Sequence, residues 1–178
     1  EALGNKADGA ATLGNIGVAE DSLGRHKEAL ETYTEALKRK TALNDKAGMA
    51  MTLANIGEVH QHLAVDAAEP DARDRHLELA EEFLSDGTSE AESSHQRSEL
   101  VSALGMHARL HLETGKPALA LAKASEALKE LEAVLGGLGD EHGAMARERH
   151  AVVPAVGVLA ATREDKEKEA FKFLEAGR

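Results

Sequence analysis

The residues of this chain best suited to chemistry are its nine histidines, set in a sequence without cysteine. His107 and His111 stand four apart, which puts both imidazoles on one face of a helix and matches the spacing of a helical metal site. No Glu completes a His-Glu-x-x-His pattern, and with no thiolate any such site would be built from nitrogen and oxygen donors alone. His60 and His62 are two apart and point to different helix faces. The histidines therefore read as packed or solvated helix residues, with a pH-sensitive patch as the functional alternative. No metal site and no cofactor is expected.

Catalytic chemistry has no better footing. Gly136–Gly137–Leu138–Gly139 lacks the spacing of a phosphate loop and the Lys-Ser/Thr that follows one. No Gly-x-Ser-x-Gly elbow occurs, and the acidic residues are scattered over helical stretches. The chain is not expected to be an enzyme. What remains is a pair of amides, Asn15 and Asn55, and they belong to the strongest pattern in the sequence. Residues 2–17 read ALGNKADGAATLGNIG and residues 42–57 read ALNDKAGMAMTLANIG, with ten of sixteen positions identical. Self-similarity at an offset of 40 signals a repeat architecture.

Helical periodicity defines the units. In the first, Leu13, Ile16, Gly17 and Glu20 fall on one face, Leu23–Gly24 ends the helix, and a second helix runs from about Arg25 to Leu43. Its inward stripe is Ala29, Leu30, Tyr33, Ala36 and Leu37. The second unit has a helix over roughly 46–64, an inserted loop over 65–74, and a helix to about Ser85, with Asp86–Gly87–Thr88–Ser89 as a turn. The third places helices over about 94–114 and from Pro117 to the break at Gly136. The last is less regular: a helix over about 141–162, kinked near Pro154, then one over 164–176. The boundaries read as 1–7 for the end of a preceding repeat, 8–44, 45–87, 94–136, and 140–178 for a degenerate repeat or cap. Glu1 in place of Met points to a fragment of a longer protein.

Composition narrows the partners. A formal net charge of −11 is unsuited to nucleic-acid phosphates or an anionic membrane surface. No apolar run reaches the ~20 residues that span a bilayer, and no secretory signal is visible, so a cytoplasmic location is expected. With no Trp, one Tyr and three Phe, the core must be built from Ala, Leu, Val and Gly, which suits helices that approach closely.

Leu13, Ile16, Gly17, Gly24, Ala29, Tyr33 and Ala36 resemble, in order, the motif of the tetratricopeptide repeat (TPR) family. Leu104, Ala108, Gly115, Pro117, Ala120, Ala124 and Ala127 follow it less faithfully, and Leu53, Ile56 and Gly57 match in one helix only. Glu20 replaces a usual aromatic. The 40-residue spacing is similar to that of kinesin light chains, Leu-Gly-Asn-repeat adaptors and many bacterial regulators. The resemblance implies an all-α, right-handed superhelical solenoid of antiparallel helix pairs, with about three to four repeats. It also implies a concave groove lined by the first helix of each pair.

Groove candidates are Asn15, Val18, Asp21 and Ser22 in the first unit, Met51, Asn55, Glu58 and His62 in the second, and Met106 and Arg109 in the third. An amide offers both a donor and an acceptor and can hold a peptide unit, a use that the resemblance implies for Asn15 and Asn55. The expected function is a protein-interaction module for an extended peptide, basic or amide-rich given the acids of the groove. A regulatory arm engaging a neighbouring domain is the first alternative. Homodimerisation through Val152, Val153, Val156 and Leu159 is the second.

Overall fold

The computed structural model describes residues 2–177. Among the described residues it is all-α, with nine helices and no strand. They are α1 (Ala2–Ser22), α2 (His26–Leu43), α3 (Lys46–Asp66), α4 (Pro70–Ser93), α5 (Arg97–Glu113), α6 (Pro117–Leu135), α7 (Asp140–Arg149), α8 (Val152–Arg163) and α9 (Glu167–Ala176). They fall into two compact units, residues 1–96 and 97–178.

In the first unit α1 packs on α2, α2 on α3 and α3 on α4, and α1 also touches α3. Its core joins Ala29 and Tyr33 of α2 to Ile56 and Val59 of α3, with Leu30, Leu37, Leu63 and Phe83 packed around them. In the second unit α5 packs on α6, α8 lies against both, and α9 covers α8. Leu104, Leu128, Leu131, Val153 and Phe173 are buried there.

The same chemistry closes most of the helices. Five of them end at a left-handed residue: Gly24, Asn44, His95, Gly115 and Asp165, with φ between 53° and 73°. In each case the next N–H reaches back to a carbonyl five residues earlier, as Arg25 does to Glu20 and Lys166 to Ala161, at 2.9 Å in both. This is the Schellman closure, and it satisfies carbonyls that a helix end would leave bare. Pro70 and Pro117 open α4 and α6, where the missing N–H has no intrahelical partner to lose.

In three of the helix pairs a small residue admits a large one. A Cβ on Gly17 would sit 2.7 Å from the Tyr33 ring, and one on Gly57 would sit 2.7 Å from Leu84 Cγ. A Cβ on Gly157 would likewise fall well inside contact distance of the Phe173 ring. The sixteen-residue separation of Gly17 and Tyr33 recurs at Gly157 and Phe173, so α8 and α9 repeat the packing of α1 and α2.

Several expected boundaries differ from those observed. α1 runs unbroken from Ala2, so residues 2–7 open that helix rather than finish an earlier one. The 65–74 loop contracts to Ala67–Glu69, because α3 continues to Asp66 and Pro70 starts α4 at once. Asp86–Ser89 is helix, not turn. Gly87 is buried inside α4, where its lack of a Cβ lets the helix press on the Ala50 carbonyl and the Ala54 amide of α3. α5 begins at Arg97, three residues after Ser94, because His95 turns the chain first. The long helix expected over 141–162 breaks at His150–Ala151, and Pro154 lies in the first turn of α8 rather than at a kink.

Candidate functional site

The α1–α2 turn brings together the densest polar cluster in the first unit. Asp21 lies in the last turn of α1. Gly24 reverses the chain, so His26, which opens α2, returns to the same carboxylate: its Nδ1 is 2.6 Å from Asp21 Oδ1. From α3, His62 brings its Nδ1 to 3.1 Å from Asp21. One turn further along α3, Asp66 Oδ2 stands 3.5 Å from His26 Nε2. The two imidazole rings are tilted with centroids 5.2 Å apart. The Asp21 and His26 side chains are only 12 % and 14 % exposed, so both are held rather than solvated, while His62 is 39 % exposed and Asp66 mostly open. Beside them a shallow cleft is lined by Gly24, His26, Leu63, Asp66, Ala72 and His76.

Behind this cluster the repeat positions diverge. Asn15 is exposed on α1, whereas Asn55 is half-buried and its amide hydrogen-bonds the Tyr33 phenol. Burial first, then the charges of Asp21 and Glu58, push the phenol pKa up, and the Asn55 hydrogen bond opposes them. The two amides are therefore not equivalent: one faces solvent and the other supports a core tyrosine. Glu20, in place of an aromatic, accepts a 2.7 Å hydrogen bond from Thr32 Oγ1 of α2. Lys40 is buried and donates to Thr52 Oγ1 of α3 at 2.8 Å, and loss of solvent pulls its ammonium below the usual lysine range, partly restored by Asp45.

Of the other expected groove residues, Val18 and Ser22 are exposed on α1, and Met51 and Glu58 are half-buried on α3. Met106 and Arg109 belong to α5 of the second unit. Both are half-buried, and Arg109 Nε lies 3.9 Å from Glu113. Of the proposed dimer face, Val153 and Val156 are buried in the second unit and Val152 is half-buried, leaving Leu159 exposed.

Three further histidine sites lie away from Asp21. His60 is buried, stacks on Phe83 with centroids 5.6 Å apart, and places its Nδ1 3.1 Å from that of His76. Burial and the neighbouring His76 lower its pKa to about 4. In the second unit His150 is buried between Ser98 and Ser102, at 3.3 and 3.4 Å from their hydroxyls, and burial holds it below the ordinary histidine range. His107 and His111 stack on one face of α5, both buried.

The chain matches no protein-family model, and no curated protein matches it in sequence. The functional case rests on the geometry alone. The sequence reading placed Asp21 and His62 among the groove residues but not His26 or Asp66, and did not bring the four together. The available signal was the repeat itself, since residues 21 and 62 stand one repeat plus one residue apart and so face each other wherever equivalent helices lie side by side.

Proposed function

We propose that this chain is a helix-pair repeat protein of the tetratricopeptide kind, and that it binds an extended stretch of another polypeptide on the face shared by α1 and α3. The observation that carries this reading is the direct contact between Asp21 and His62. It brings together side chains from the first helices of consecutive pairs, which is where a repeat of this kind presents its ligand surface. The glycine–large-residue contacts at Gly17, Gly57 and Gly157 support the family resemblance by supplying the close packing of its helix pairs.

The face has a mixed chemistry. Val18 offers exposed apolar area, Met51 an adaptable one, and Asn15 an exposed amide for main-chain hydrogen bonds, while the Ser22 hydroxyl, which donates to the Val18 carbonyl, can still accept. With Asp21 and Glu58 beside them and a net charge of −11, the preferred ligand is basic or amide-rich.

Selection from a random peptide display library, followed by fluorescence polarisation with the enriched peptides, tests the proposal. Enriched sequences should bind the chain and lose most of their affinity to Val18→Asp and to Met51→Asp. A substitution on the exposed side of α2, Glu31→Ala, should leave binding unchanged. Peptides that bind equally well to all three variants would place the ligand surface elsewhere.

A further inference from the structure

We propose that Asp21, His26 and His62 bind a first-row divalent cation, zinc in the first instance, with Asp66 holding the outer nitrogen of His26. This goes beyond the peptide-binding reading and stands without it. It rests on donors from three different helices that share one small volume.

One ring nitrogen from each imidazole and one carboxylate oxygen all lie within 4.8 Å of one another. Donors at ~2.0–2.1 Å from a tetrahedral zinc are about 3.3 Å apart. The two nitrogens already stand 2.6 and 3.1 Å from Asp21, so small ring rotations open the cluster to that size. Without metal, a neutral imidazole with its proton on Nδ1 can donate it to the carboxylate. With metal, the ring takes the other tautomer: the proton sits on Nε2, the Nδ1 lone pair faces the ion, and acid weakens binding because protons compete for the same nitrogen.

His26 also has the outer support that such sites use. Asp66 Oδ2, 3.5 Å from Nε2, is placed to hold the proton on that nitrogen once Nδ1 serves as the ligand. Two imidazoles and a carboxylate suit zinc, cobalt or nickel better than the harder calcium or magnesium. Three protein donors leave a fourth tetrahedral position for water. His60 and His76 meet each other through Nδ1 but have no carboxylate in that contact, and they provide a natural control.

The test is isothermal titration of the 178-residue chain with zinc chloride, with cobalt absorption as the readout of coordination geometry. A zinc equivalent that the cluster variants lose is expected, with the visible spectrum of tetrahedral cobalt. Asp66→Asn should weaken binding ~10-fold or more, as loss of an outer-shell partner does. His26→Ala and His62→Ala should lose the site, whereas His76→Ala should keep it. Because either alanine variant could unfold the turn, His62→Asp serves as the rescue, restoring a donor and with it a weaker site in a chain of unchanged circular dichroism. Equal zinc binding by the native chain and the double variant His26→Ala/His62→Ala would overturn the proposal. So would an absence of zinc binding in the folded native chain.

Discussion

Ile16 and Ile56 occupy the same place in two nearly identical sixteen-residue stretches, yet the first is 43 % exposed and the second 4 %. The flanking residues follow suit. Asn15 is exposed and Asn55 bonds Tyr33, while Gly14 lies beside the Lys40 ammonium and Ala54 is buried. Gly17 and Gly57 keep one role, each admitting a large side chain from the next helix, and Ala10 and Ala50 are both buried. The repeat thus encodes the contact inside a pair faithfully. The opposite face of the same helix takes its meaning from its neighbour: α2 packs on α3 there, and the matching face of α1 is open.

The largest test of this contrast is a matched truncation. Ile56→Ala should cost about 3 kcal/mol, as removal of a buried isoleucine does, and Ile16→Ala less than about 1 kcal/mol. Urea denaturation of the two variants reads the difference, and equal losses would dissolve the distinction between the faces.

The second test uses pH. His60 stands where the first repeat has Glu20, and its folded pKa of about 4 lies below the ordinary value of 6.5. Between those values the unfolded chain binds the extra proton. The stabilisation from a neutral, buried His60 is therefore complete above pH ~6.5, falls as pH drops through that window, and is gone below about pH 4. A contribution on the order of 2 kcal/mol is expected from this site. Urea midpoints at pH 7 and 4.5 should separate less in His60→Phe than in the native chain. His150, shifted in the same direction in the second unit, remains in that variant and keeps part of the slope.

The smallest contrast is between the amides. Asn55→Ala strips a partner from the buried Tyr33 hydroxyl and should cost about 1 kcal/mol, against under about 0.5 kcal/mol for Asn15→Ala. Thermal melts of the two single variants would expose any failure of this ordering.

Much of the fold was legible because its punctuation is chemical. Gly24 and Gly115 mark left-handed closures and Pro117 marks a helix start, whereas Pro70, expected inside a loop, opens α4. His95 and Asp165 make the same closure without glycine, so nothing in their residue type announces it. Gly87 misled in the other direction, since a glycine serves equally for a turn or for close helix approach, and only the neighbouring α3 decides which. The polar cluster was half legible. Asp21 and His62 followed from the repeat, but His26 depends on how the chain reverses at Gly24, and Asp66 on α3 running past the point where a loop was expected. Asn15 and Asn55 looked alike because sequence identity records shared ancestry of a position, not its surroundings.

Gly87 against Ala50 and Ala54 has a mechanical consequence. With backbone seated on backbone there, α3 and α4 cannot slide past each other without losing van der Waals contact along the seam, so they move as one slab. By contrast, α1 reaches that slab mainly through α2, which packs against both α1 and α3, and directly through side-chain contacts such as Asp21 with His62.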